Sequence, residues 1–169
     1  MPELTAAIIA GPRWWGEAQT GRDGKPVAKS EFKARKEQAH REVEIMREVV
    51  AELPEDCFVI QGGARGADLL AASLCKARGI ETAGVPYFGS KGKQGGYLRN
   101  LMMATLLNGL ALQGYKVKVV VMAPEDGITT GTKMMKDIAE DPKFGIFVKV
   151  VRYAEPTPEE PVEAGEENA

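Results

Sequence analysis

Residues 60–68 read Ile-Gln-Gly-Gly-Ala-Arg-Gly-Ala-Asp. Glycines at this density let a backbone turn tightly and let a ligand approach its N–H groups. A helix beginning just after them offers unpaired N–H donors and positive dipole potential. Arg65 adds a planar guanidinium fork that matches a phosphate. The chemistry these residues suit is anion recognition, by Gly62, Gly63, Ala64, Arg65 and Gly66, with Asp68 bonding either a ribose hydroxyl or the loop itself. A glycine turn that only packs a helix against a sheet accounts for the same residues equally well.

A second loop changes that balance. Residues 127–132, Gly-Ile-Thr-Thr-Gly-Thr, precede another helix-like run and bring the hydroxyls of Thr129, Thr130 and Thr132, followed by the charge of Lys133. Alone, this is a threonine-capped helix start; as the second such loop it supports a phosphate cradle that includes Gly131, Thr132 and Lys133. Arg99 and Asn100 open a further helix, where Arg99 suits a phosphate or ribose, or a surface ion pair. Gly11-Pro12-Arg13-Trp14-Trp15 follows the first apolar run. Arg13 has the reach for a phosphate, and Trp14 or Trp15 could stack on a base, although large aromatics more often pack. Tyr87 and Tyr97 are weaker candidates of the same kind. Metal chemistry has no basis here: Cys57 and Cys75 form no close pair and His40 stands alone, so no zinc set is expected. No cofactor is implied.

The elements that position these loops alternate. Apolar β-like runs occupy residues 4–10, 57–61, 81–88, 116–123 and 145–153, and helix-like runs occupy about 30–53, 66–78, 97–112 and 131–140. Ser30 is read as the cap of the first helix, whose buried face is Phe32, Ala39, Val43, Met46, Val50 and Leu53. Its Lys33, Arg35, Lys36 and Arg41 read as a solvated face with helical ion pairs. Residues 16–29 read as an exposed loop and residues 89–96 as a mobile loop. Strict alternation with continuous apolar strands predicts an α/β fold: an open, doubly wound, mainly parallel sheet of about five strands with helices on both faces. Ligands in such sheets bind beyond the carboxyl ends of the strands, at a topological switch point. All the candidate loops follow strand ends.

The chain has 169 residues, 44% of them hydrophobic and 27% charged, which fits one domain with a sizeable core. No membrane span or signal-like start is apparent, so a cytoplasmic location is expected. Net charge is −2, but residues 154–169 carry six glutamates and no basic residue, leaving a body of −2 + 6 = +4. Residues 1–153 are expected to form the domain and 154–169 a disordered acidic tail. A mildly basic body suits an anionic small molecule and argues against nucleic acid as the partner. The helix 97–112 is apolar almost all round, which predicts burial by the domain or by a second copy, so a homo-oligomer is expected.

Three segments in this order, "VIQGGARGADLLAASLCKARGI", "GGYLRNLMMA" and "VVVMAPEDGITTGTKMMKDIA", resemble the SLOG superfamily, and within it the small YspA-like branch. That Rossmann-like group includes the LOG phosphoribohydrolases and the DNA-processing Smf proteins. The resemblance covers roughly residues 5–140 without the loop near 16–30. It implies a nucleotide or nucleotide-derivative pocket at Gly62, Gly63, Arg65, Gly66, Asp68, Arg99, Asn100, Gly131 and Thr132, and a tendency to self-associate. The LOG enzymes carry PGGxGTxxE, whose glutamate assists cleavage of the base–ribose bond. Here Met135 stands in the glutamate's place, and Pro124-Glu125-Asp126-Gly127 replaces the Pro-Gly-Gly. A thioether neither stabilises a ribosyl cation nor activates water. The expectation is therefore a nucleotide sensor or binding protein, with a LOG-type N-glycoside hydrolase and an Smf-like single-stranded DNA-binding protein as the alternatives.

Overall fold

The computed structural model describes residues 3–155. Its order is β1 (Thr5–Ala10), α1 (Phe32–Ala51), β2 (Phe58–Gln61), α2 (Ala67–Ala77), β3 (Thr82–Gly84), α3 (Lys93–Leu112), β4 (Lys116–Pro124), α4 (Thr130–Glu140) and β5 (Val148–Tyr153). The five strands form one parallel sheet in the order β3-β2-β1-β4-β5. The chain moves outward from β1 to β3, then crosses back through α3 to β4 on the other side of β1. The switch point therefore lies between the carboxyl ends of β1 and β4.

The period of two along the central strands explains why both faces are dry. Ala7 and Ile9 of β1, with Val120 and Met122 of β4, join Met46, Val50, Ala71 and Cys75 in a core under α1 and α2. Ala6, Ile8 and Ala10, with Val119 and Val121, join Met103, Leu107, Met135 and Ile138 in a second core under α3 and α4. Cys57 and Cys75 are buried, free thiols.

Three local expectations need correction. Ser30 does not cap α1: it lies in a 3-10 turn, Lys29–Glu31, and the Glu31 carboxylate instead accepts the N–H of Ala28 at 3.2 Å. Phe32 is 39% exposed, because the first turns of α1 face the polar segment after β1 and core contact begins at Ala39. The segment 89–96 is not a free loop. It holds a 3-10 turn, Gly89–Lys91, and the first turn of α3, which starts four residues earlier than its apolar pattern suggests. Gly95 explains this: it packs directly on the Phe88 backbone, where a Cβ would collide. The outer face of α3 is also open, with Leu98, Met102 and Leu106 exposed.

At the end of the sheet, Ala154 and Glu155, the first residues of the expected acidic tail, are held to the body. The Ala154 carbonyl accepts Gln38 Nε2 at 3.3 Å, and Glu155 pairs with Arg22 at 2.8 Å. Residues 156–169 lie outside the described residues. No described helix is long and apolar enough to cross a membrane.

Candidate functional site

The carboxyl end of β1 runs straight into the loop after β2. Gly11 sits where a Cβ would fall 2.8 Å from Ala67 Cβ and 3.2 Å from Met122 Cβ, so β1 exits against the start of α2. Gly66 takes φ +80° and lies flat on the Pro12–Arg13 backbone, leaving no room for a side chain. The Ala67 N–H donates to the Pro12 carbonyl at 3.0 Å. These contacts lock two of the glycine-containing loops together and fix the Arg13 backbone at the sheet edge.

Asp68 organises the loop from inside. It is 6% exposed, and its Oδ2 accepts the Ala64 N–H at 3.2 Å. Of the two partners the sequence allows it, the structure gives it the loop. Gln61 Oε1 accepts the Gly63 N–H from the other side. Burial pushes the Asp68 carboxyl up to about 6, against the opposing pull of the Ala64 N–H and of the Arg99 and Arg13 charges.

Arg99 reaches under the same loop from the second turn of α3. It is 9% exposed, its Nη1 donates a long 3.5 Å bond to the Gly62 carbonyl, and its Nε is buried without a partner. Burial lowers its pKa, and its guanidinium lies 5.8 Å from the Tyr87 ring centroid. Asn100 beside it donates from Nδ2 to the Gly131 carbonyl at 3.4 Å, tying α3 to the start of α4. There Thr129 occupies the N-cap position but caps nothing. Its hydroxyl bonds the Thr132 hydroxyl at 2.8 Å.

Two neighbouring clefts result. The first, about 320 Å³, is lined by Gly11 to Trp14 after β1, Ala64 and Asp68, Arg99, Asn100 and Met103 of α3, and Thr129, Gly131, Thr132 and Met135 at α4. The second, about 640 Å³, is lined by Gly62 to Arg65, by Gly84 to Tyr87 after β3, and by Arg13 and Arg99. The glycine loop and the threonine loop thus open mainly onto different clefts. Arg13, Gly24, Ala64 and Arg99 belong to both.

Among the residues singled out by sequence, Gly66, Thr130, Lys133, Trp15 and Tyr97 line neither cleft. Gly66 is consumed by the backbone crossing. Lys133 pairs with Asp137 one turn along α4. Trp15 is 1% exposed, edge-on to Tyr153 at 4.8 Å between centroids, so its ring belongs to the core and only Trp14 faces the cleft. Arg65 lines the second cleft but is held by Glu17 at 2.7 Å. Met135 sits in the first cleft, 1% exposed.

Sequence reasoning missed the arm between β1 and α1. Residues 19–27 form a tight hairpin, bridged at Thr20 and Pro26, and its Arg22, Asp23 and Gly24 line the first cleft. Arg22 also stands 5.9 Å from the Trp14 ring. The anchor of the arm is Arg35, which is not the solvated arginine that its neighbours suggest. It donates to the Thr20 and Trp14 carbonyls at 2.8 and 2.7 Å and pairs with Glu42, itself 1% exposed, at 2.7 Å. Glu42 in turn accepts the Gly16 N–H at 3.1 Å. The turn-rich Gly-Arg-Asp-Gly-Lys-Pro at 21–26 was the available signal for a hairpin.

No protein-family model matches the chain, and no curated protein matches it as a relative.

Proposed function

We propose that this protein is a SLOG-like sensor or binding protein for a nucleotide or nucleotide-derived ligand, whose phosphate is held between Arg13 and Arg99. One observation carries the reading. Across the chain, Arg22, Arg35, Arg47 and Arg65 are each paired with a carboxylate, while Arg41, Arg78 and Arg152 are taken up by amide or carbonyl oxygens. Among the described residues, Arg13 and Arg99 alone of the arginines make no ion pair and no short hydrogen bond, and both line the clefts at the strand ends. An anion there supplies an acceptor to the buried Arg99 Nε, with the solvent-exposed Arg13 beside it as a second cation. The N–H groups at Gly131 and Thr132 add donors at the start of α4.

Thermal-shift and calorimetric titration with the ribonucleoside 5′-monophosphates tests this. At about a hundred times the dissociation constant, a ligand stabilises by about 2.7 kcal/mol, a readily measured shift. Arg99→Met is expected to weaken binding at least about tenfold. A panel without shifts, or a variant that binds as well as the wild type, overturns the reading.

Asp68 favours a second reading, an N-glycoside hydrolase, because a cleft-lining carboxyl with its pKa pushed up to about 6 is suited to acid–base work. Release of free base from a nucleotide, lost in Asp68→Asn, separates catalysis from binding. The open α3 face, with Leu98, Met102 and Leu106 one turn apart, supports a homo-oligomer. Leu106→Glu is then expected to lower the mass measured by light scattering.

A further inference from the structure

The two clefts meet at a wall made of Arg13, Gly24, Ala64 and Arg99. The unpaired cations thus stand between the cavities rather than at the end of either. An anion bound to both arginines has open volume on two sides, and a ligand that ends at its phosphate fills only one. We propose that the ligand is two-armed: a nucleotide whose phosphate is bonded onward to a second group, of the dinucleotide or nucleotide-conjugate class, with the linking phosphate on Arg13 and Arg99. This rests on the anionic-ligand reading above and specifies it.

The clefts differ in character as two arms require. The first is the smaller, and Ala10, Trp14, Met103 and Met135 give it apolar lining suited to one flat ring. The second has twice the volume, 640 against 320 Å³. Gly24, Gly62, Gly63 and Gly84 contribute bare backbone to its walls, with Tyr87, 46% exposed, at its side. A Cβ at Gly63 would approach nothing closer than Gln61 Oε1 at 3.9 Å, and one at Gly24 would meet no atom within 4 Å. The shared wall is therefore open at Gly24, and the second cleft is open at Gly63. Tyr87 is kept in place independently of any ligand. Its hydroxyl donates to the Gly92 carbonyl, and its ring lies close to the backbone of Gly95 and Gly96. It offers the second arm an aromatic surface whose orientation is already fixed.

The test is calorimetry on the full chain with three matched sets for each base: the nucleoside monophosphates, the nucleoside diphosphates, and the two-armed dinucleoside diphosphates with nucleoside diphosphate sugars. At least one two-armed compound is expected to bind about tenfold or more tighter than both its monophosphate and its diphosphate. Tyr87→Ala, at a half-exposed position beside Arg99, is expected to weaken the two-armed compound about tenfold or more beyond any loss for its monophosphate. If the diphosphate matches the two-armed compound, the gain is charge alone and the proposal fails. It fails equally if Tyr87→Ala weakens all three sets alike, or if monophosphates bind and two-armed compounds do not, and in these cases the anion site itself stands. If no set binds, the anion-site reading falls and takes the proposal with it.

Discussion

Replacing Asp68 with asparagine is expected to flatten one segment of the stability–pH curve. Burial raises this carboxyl from 3.8 to about 6 in the folded protein. The folded state therefore holds the proton more tightly than the unfolded chain does. Stability from this source is fully present below about 3.8 and is lost as pH rises through about 6. The shift is about 2 units, and at about 1.36 kcal/mol per unit the loss is about 3 kcal/mol by neutral pH. That is a large part of the roughly 5–15 kcal/mol typical of a domain. Asparagine keeps an oxygen for the Ala64 N–H and removes the titration. Urea unfolding of both proteins from about pH 4 to about pH 7.5 gives the difference directly, because the other carboxylates cancel between them. The wild type is expected to lose ground to the variant as pH rises, by about 3 kcal/mol in total. Parallel curves, separated by a constant amount, would mean that Asp68 titrates like an exposed carboxylate, and the account of the cleft interior would be wrong.

Gly62→Ala places a Cβ 2.7 Å from Asp68 Oδ2 and 3.0 Å from Arg99 Nε, so both buried charges must move. A loss of about 1–3 kcal/mol in urea unfolding is expected, as for other overpacked sites, together with weaker anion binding. Arg35→Met strands Glu42 as an unpaired buried carboxylate, and a loss of about 3–5 kcal/mol is expected. Pairing it with Glu42→Leu is expected to recover much of the stability, while protease cutting within 19–27 stays elevated because the arm has lost its anchor. Trp14 is the indole on the cleft and Trp15 the one in the core. Ligand titration is therefore expected to change intrinsic fluorescence, and Trp14→Phe to abolish most of that change.

The sheet was legible because its strands are short, apolar and bounded by glycine or proline. The run 116–123 lies within β4, Lys116–Pro124, and the helices between strands leave a parallel topology as the simple solution. The loops at the strand ends were legible for the same reason. What escaped were contacts between elements distant in sequence. Arg65 is tied to Glu17, 48 residues away, and no local spacing announces that pair. Arg35 and Glu42 are seven residues apart, two turns of helix, where the usual search for ion pairs stops at one. The early start of α3 was hidden because Gly92, Gly95 and Gly96 read as a loop by composition. In the structure Gly95 is a close-approach glycine inside a helix. The arm over the cleft was legible as turns but not as a wall, because its place depends on that unseen arginine.

If the cleft binds an anion as proposed, a carboxylic acid within it needs a reason to be there. As an ionised group, Asp68 opposes any phosphate that approaches, and its burial adds a desolvation cost. The compensation lies in the loop. Gly63 has φ +67° and Gly66 φ +80°, so the backbone takes positive φ twice within four residues, and its N–H groups need acceptors on the inside. Asp68 and Gln61 supply them, at Ala64 and Gly63. The charged lining of the first cleft is Arg13, Arg22 and Arg99 against Asp23 and Asp68, so it keeps an excess of one cation with Asp68 ionised. Arg13 and Arg99 lower the cost of keeping that carboxylate buried. On the proposed reading, loop order and anion affinity would thus draw on the same pair of cations, and a bound phosphate would compete with Asp68 for them.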